Sequence, residues 1–173
     1  RDAGSGAGIA LLADQRKRSD ANALVAPRLV LCLRWPMPLR AWDAGDTPEK
    51  ARAMVRQFKD LGADCLKVSK SPGQYPDVMQ AIADEGTKLG MFTMVDLKVS
   101  ETDARVASNA GVKSIEHWYG IPEAGLAGSQ NFPADYNYWK EMDRFRYAGN
   151  LWAEADRNPE QLSALLDLLI RNG

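Results

Sequence analysis

Residues 47–68 read TPEKARAMVRQFKDLGADCLKV and contain one complete helix–strand repeat. Thr47 can cap a helix, Pro48 suits its first turn, and apolar residues follow at helical spacing. Gly62 is typical of the residue that ends such a helix, and the apolar run 63–68 predicts a short buried strand. The segment therefore predicts an amphipathic helix that packs against a parallel strand.

The same order of helix, glycine and strand recurs about every 25 residues, which is the rhythm of a parallel α/β sheet. Other segments with strand or helix patterns are, for strands, 28–33, 91–96 and 112–117, and, for helices, 9–25, 75–89 and 100–110. About four strands are countable, against the eight of a closed (β/α)8 TIM barrel. We therefore expect residues 1–173 to form a single incomplete barrel segment, with an open doubly wound parallel sheet as the structural alternative.

Residues 118–138 break this rhythm, because they are rich in glycine, proline, asparagine and aromatic residues. We interpret them as a long βα loop insertion with a short helix, since a loop of this length in a compact domain is usually functional or disordered. The aromatic residues Tyr136, Tyr138 and Trp139 favour an ordered loop. Two further helices are predicted near 139–148 and 159–170.

Composition narrows the classes of partner. The chain has 173 residues, of which 45% are hydrophobic and 26% charged, and its formal net charge is -1. A nucleic acid or an anionic membrane would usually require a basic face, which this balance does not provide. No stretch reaches the roughly 20 apolar residues of a membrane span. The composition fixes neither the compartment, cytoplasmic or exported, nor the oligomeric state.

Cys32 and Cys65 both lie inside apolar, strand-like runs and have no short-spaced cysteine partner. This pattern is typical of buried reduced thiols, which we expect here rather than a disulfide or a metal-binding pair.

Three predicted strands carry an ionisable residue at or next to their last position, namely Lys67, Asp96 and His117. If the strands are parallel neighbours, these side chains meet at the rim where α/β barrels hold their active sites. Histidine and aspartate are ordinary metal ligands, whereas a lysine ammonium has no lone pair to offer. Lys67 could bind a metal only after carbamylation by carbon dioxide, which requires the neutral amine. The residue pattern alone also allows a plainer interpretation of each residue. His117 would be a hydrogen-bonded structural residue, Lys67 would form an ion pair at the rim, and Asp96 would form an ion pair with Lys98.

Strand alternation assigns these side chains to one face of the sheet. Cys65 then shares the inward face with Lys67, Met94 with Asp96, and Ile115 with His117. Ser114 and Glu116 would face the outer helices.

Three segments, GADCLKV (62–68), ADEGTKLGM (83–91) and AGVKSIEH (110–117), resemble landmarks of the metal-dependent amidohydrolase superfamily. The likeness is greatest to its imidazolonepropionase-like and prolidase-like branches, and it covers nearly the whole chain, roughly strands two to six of the barrel. The resemblance implies that Lys67 is the carbamylated lysine of the family's fourth strand and that His117 is the metal-binding histidine of its sixth. The family's fifth-strand histidine falls on Asp96, and this exchange favours harder ions such as manganese.

The resemblance further implies hydrolysis of amide or other C–N bonds in a small-molecule or peptide-like substrate, through a metal-activated hydroxide. Lys67, Asp96 and His117 would bind one or two divalent ions, zinc in the first place and manganese as the alternative. The family's His-x-His pair is expected before Arg1 and its general-base aspartate after Gly173, so the catalytic base falls outside the fragment and the fragment alone is expected to be inactive. The alternatives are a catalytically inactive binding or scaffold barrel and, as a weaker idea, a lyase that uses Lys67 as a Schiff-base nucleophile.

Overall fold

The computed structural model describes residues 8–35, 45–69, 75–97, 102–126, 133–137 and 140–173, together with the backbone of residues 2–3. Its strands are β1 (Asp2–Ala3), β2 (Leu31–Trp35), β3 (Cys65–Val68), β4 (Phe92–Val95) and β5 (Ser114–Ile115). Its helices are α1 (Ile9–Asp20), α2 (Pro48–Asp60), α3 (Pro76–Lys88), α4 (Ala104–Asn109), α5 (Ile121–Ala124), α6 (Glu141–Asp156) and α7 (Pro159–Asn172). None of these described helices has the length and apolar character needed to cross a membrane.

The five described strands form one parallel sheet in the order β1-β2-β3-β4-β5. A doubly wound sheet reverses its strand order at a switch point, whereas this order follows the chain without reversal. Sequential winding with helices between parallel strands is the arrangement of a (β/α) barrel segment. The predicted partial parallel α/β fold is therefore confirmed, and the doubly wound alternative does not describe this sheet.

Helix α2 forms where the local signals predict it. The Thr47 hydroxyl accepts a hydrogen bond from the backbone N–H of Lys50 at 3.3 Å, and Pro48 occupies the first turn. The helix buries the residues at its apolar spacing, namely Ala51, Met54, Val55 and Phe58. The capped start and the apolar stripe are both readable from neighbouring residues, which is why the prediction succeeds.

The two faces of the sheet pack differently. The outer face, which carries Leu33, Leu66 and Val95, joins the main core formed with the helices. The opposite face, here called the inner face, holds a small cluster of Cys32, Cys65 and Met94 with Phe92 packed against it. This division confirms the predicted alternation in β3 and β4.

Helices α1 and α4 have boundaries that differ from prediction. Helix α1 ends at Asp20 rather than near residue 25, because Asn22 adopts a left-handed backbone with φ 56°. Helix α4 begins at Ala104, where the Asp103 carboxylate accepts hydrogen bonds from two backbone N–H groups. Ser100, the predicted cap of that helix, lies outside the described residues.

The expectation of two separate thiols is wrong, because Cys32 and Cys65 form a disulfide. The two residues are direct partners in the register of β2 and β3, and their Cα atoms lie 4.4 Å apart. Both side chains also belong to the inner cluster. The two cysteines are 33 positions apart in the sequence, so no local pattern indicates that they pair. The pairing can be recognised only when the strand register is known.

A candidate metal centre at the carboxyl ends of the strands

Lys67 lies on the inner face of β3, and only 6% of it is exposed. Its partners in the sheet register are Arg34 of β2 and Met94 of β4. Among the described residues, no hydrogen-bond or ion-pair partner of the Lys67 amine is found. The plain interpretation of Lys67 as a rim ion-pair partner is therefore not supported by the described part of the chain.

Asp96 follows β4 directly and continues its ladder, since its backbone N–H donates to the carbonyl of Val68 at 2.8 Å. The residue is 2% exposed, so its carboxylate is held at the rim and away from bulk water. Its Oδ2 lies 3.7 Å from Nε2 of His117. The ends of β4 and β5 thus bring a carboxylate and an imidazole together, as the sequence predicts.

The predicted orientation of β5 is wrong, although His117 still reaches Asp96. Met94 pairs with Ser114, and Val95 pairs with Ile115, so Ser114 shares the inner face and Ile115 the outer one. Ile115 accordingly packs against the main core. The strand ends at Ile115, and strict alternation is interrupted at His117, whose backbone is left-handed with φ 63°. This turn, and not the strand, accounts for the position of the imidazole.

The prediction that Glu116 faces the outer helices is also wrong. Its Oε1 accepts a hydrogen bond from the Ser114 hydroxyl at 2.8 Å, and Ser114 shares the face of Met94. Ile115 was the available signal, because a β-branched apolar residue between two polar ones belongs on the buried outer face. Glu116 is therefore a second carboxylate near the rim that the sequence interpretation did not include.

Gly120 fixes the turn that carries His117. Its φ of 82° is left-handed, and a Cβ there would lie 3.0 Å from Cβ of Leu97 and 3.3 Å from the backbone nitrogen of Ala104. The Gly120 N–H donates to Oε2 of Glu123 at 2.8 Å, and its carbonyl accepts from the Ala104 N–H at 2.9 Å. Glycine is required because a side chain fits neither the conformation nor the space.

Aromatic rings lie close to the His117 imidazole. The Tyr119 ring lies 5.7 Å from that of His117 and 4.6 Å from that of Trp118, centroid to centroid. The guanidinium carbon of Arg144 lies 5.0 Å from the Tyr119 centroid, and a buried cation–π contact of this kind contributes about 2 kcal/mol. Tyr119 is buried in the main core. No local sequence pattern predicts that Arg144 is buried.

Glu123 and Tyr136 are the groups near this cluster whose pKa values are shifted. Burial raises the pKa of Glu123 above its ordinary value of 4.5, against opposing hydrogen bonds from the backbone N–H groups of Glu123 and Gly120. The charge of Asp103 raises it further. Burial also raises the pKa of Tyr136 to about 12, and the nearby Glu123 carboxylate adds to this shift.

The raised pKa of Glu123 predicts a pH-dependent stability. A carboxyl that binds its proton more tightly in the folded state stabilises the fold below its unfolded pKa, and this contribution is lost as the pH rises through the folded pKa. We expect the free energy of unfolding of the wild type to fall relative to that of Glu123→Gln as the pH rises from below 4.5 toward neutrality. Urea unfolding of both proteins over a pH series measures the difference, with the exposed Glu160→Gln as control. A pH-independent difference would contradict the prediction.

The donor set fits a metal ion only in part. Within the described residues, no three side chains of histidine, cysteine, aspartate or glutamate converge on one point. Asp96 and His117 supply one oxygen and one nitrogen donor, which are ordinary ligands for zinc. Lys67 lies on the inner face and could add a third donor after its amine has become a carbamate. The three residues are thus compatible with a metal site that further ligands complete.

No protein-family model and no curated protein matches the chain. Among solved structures, the crystal structure of a "putative prolidase" from Bifidobacterium longum is similar, with a TM-score of 0.52 and 20% sequence identity. The match covers 89% of this chain and 46% of that one, so the chain spans less than half the length of its structural neighbour. At this identity the likeness concerns the fold alone, and it is a distant relation that agrees with the partial parallel α/β sheet.

Proposed function

We propose that the chain forms part of the metal centre of an amidohydrolase-like barrel that hydrolyses amide or other C–N bonds. The observation that carries this proposal is the approach of Asp96 Oδ2 to His117 Nε2, 3.7 Å apart at the ends of two neighbouring parallel strands. The buried Lys67, on the same inner face, supports it. The name of the structural neighbour supports a hydrolase-type function.

Each residue has a distinct role in this proposal. His117 and Asp96 would hold a divalent ion, zinc or manganese, through Nε2 and a carboxylate oxygen. The Lys67 amine, in its neutral form, would add to carbon dioxide, forming an N–C bond and releasing one proton to solvent, and the resulting carbamate would be a third, anionic ligand. A divalent ion in such a site would supply the polarisation of the scissile carbonyl and the activation of the attacking water.

The test is whether zinc and carbon dioxide bind together. The chain is incubated with ¹³C-bicarbonate and Zn²⁺, and the carbamate carbon is observed by NMR while Zn²⁺ affinity is measured by chelator competition. We expect one carbamate signal that Lys67→Arg removes, and a Zn²⁺ affinity that falls by at least about 100-fold in the same variant, since even residues that merely orient a ligand contribute 10–100-fold. Lys113→Arg, an exposed lysine beside β5, is the matched control and should change neither measurement.

A chain that stays folded but binds no Zn²⁺, or one in which Lys67→Arg changes neither the signal nor the affinity, would defeat the proposal. The first result would favour the second candidate function, a catalytically inactive binding barrel. That candidate is supported by the absence of three converging conventional ligands among the described residues.

A further inference from the structure

Arg144 is a buried cation on a mainly exposed helix. It is 5% exposed, whereas its neighbours Met142 and Phe145 on α6 are 73% and 54% exposed. A guanidinium so placed loses most of its hydration, and it remains there only if the surrounding groups compensate for that loss. We infer that Arg144 is a positioning residue, which fixes the orientation of the His117 imidazole through the ring of Tyr119.

The contact chain is continuous. The Arg144 guanidinium lies over the Tyr119 ring at 5.0 Å, and this ring is tilted by 53° against the His117 imidazole at 5.7 Å. The Trp118 ring also contacts the Tyr119 ring, at 4.6 Å between centroids. Tyr119 itself is 5% exposed, so its ring has little freedom to move away from either neighbour. Helix α6 thereby reaches the candidate metal ligand through one intervening side chain.

His117 needs such support because its own surroundings are weak. It follows a strand of two residues, its backbone is left-handed, and its side chain is 51% exposed. Asp96 Oδ2, at 3.7 Å from Nε2, is too distant for a hydrogen bond that would fix the ring. A half-exposed imidazole restrained on one side only can rotate about its side-chain torsions. The Tyr119 ring supplies restraint on another side.

The same helix offers an internal comparison. Arg146 lies over the Tyr147 ring at 5.6 Å, so it makes the same type of contact two residues further along α6. Within the described part of the chain, the Tyr147 ring contacts that of Tyr136, whereas the Tyr119 ring contacts those of His117 and Trp118. Removing the cation at either position deletes one cation–π contact from α6. Only the removal of the cation at position 144 should change the orientation of the His117 imidazole.

The single histidine makes the test direct, because every imidazole signal of the chain belongs to His117. The ring signals are recorded by ¹H–¹⁵N correlation in the metal-free chain, at one fixed pH. We expect Tyr119→Leu to shift and broaden these signals, since the imidazole loses both its restraint and the ring current of Tyr119. Arg144→Met should shift and broaden them because the Tyr119 ring is no longer held in place. Tyr119→Phe, which keeps the ring, and Arg144→Lys, which keeps the cation, should restore most of the wild-type pattern. Arg146→Met should leave it unchanged.

The inference is overturned if Arg144→Met leaves the imidazole signals as in the wild type, or if Arg146→Met changes them equally. Circular dichroism verifies folding. If Arg144→Met does not fold, the imidazole signals of Tyr119→Phe and Tyr119→Leu are compared instead, and equal signals in these two variants would overturn the inference.

The consequence for metal binding rests on the proposed function, so a separate arm measures it. Zn²⁺ affinity should fall by about 10-fold in Arg144→Met, the lower end of the range for residues that orient a ligand, and Arg144→Lys should recover part of it. Altered imidazole signals in a chain that binds no Zn²⁺ would support the positioning role and defeat the proposed function. Unaltered signals in a chain that binds Zn²⁺ would defeat the positioning role and support the proposed function.

Discussion

Phe58→Ala is expected to lower the free energy of unfolding by about 3–5 kcal/mol, the usual loss for a large aromatic side chain removed from a core. Phe58 is fully buried in α2, and its ring meets that of Trp35 edge to face, with centroids 5.9 Å apart and planes at 76°. The substitution removes the transfer free energy of the ring and leaves a cavity beside Trp35. Because whole domains are stable by only about 5–15 kcal/mol, the loss is a large part of the total.

Urea unfolding monitored by tryptophan fluorescence measures this loss, and Phe145→Ala provides a control with the same chemical change. Phe145 lies on α6 and is 54% exposed, so its replacement should change the free energy of unfolding by less than about 1 kcal/mol. Equal losses in the two variants would mean that α2 does not pack against the sheet as described.

The difference between these two phenylalanines is partly readable from sequence. In α2, the capped start and the apolar stripe at helical spacing place Phe58 on the buried side without any tertiary information. In α6 the apolar residues do not form one continuous stripe. Phe145 is exposed there, whereas a charged residue, Arg144, is buried. Patterns of neighbouring residues predict well which side chains of a helix are buried when those side chains form the core. They predict this poorly when a side chain is buried against a ring that is distant in sequence.

The candidate site divides in the same way. The ends of β3 and β4 are predictable, because apolar runs followed by Lys67 and Asp96 determine both the strand and its inner face. The disulfide between Cys32 and Cys65 is not predictable, since it depends on the register between two strands. His117 is a mixed case. Its proximity to Asp96 was predicted, but from an alternation that β5 does not follow.

Asp96→Ala and His117→Ala are each expected to weaken Zn²⁺ binding by at least about 100-fold, since even residues that merely orient a ligand contribute 10–100-fold. Both side chains are proposed to bind the same ion, so each substitution removes one of few protein donors. Chelator competition measures the affinities, and Asp167→Ala on α7, an exposed carboxylate, is the matched control. Retained affinity in Asp96→Ala, with a loss confined to His117→Ala, would make the contact between Asp96 and His117 a plain ion pair.

Asp96→His tests whether the carboxylate sets the choice of metal. It replaces an oxygen donor by the softer imidazole nitrogen that the resemblance to amidohydrolases places at this strand end. Imidazole suits zinc, whereas carboxylate oxygen also suits manganese, so the ratio of Zn²⁺ to Mn²⁺ affinity should rise in the variant. A ratio that stays constant while both affinities fall would show that the side chain at position 96 affects the site through packing. A rise in the ratio with Zn²⁺ affinity retained requires direct ligation, because a packing change alone does not distinguish a soft ion from a hard one.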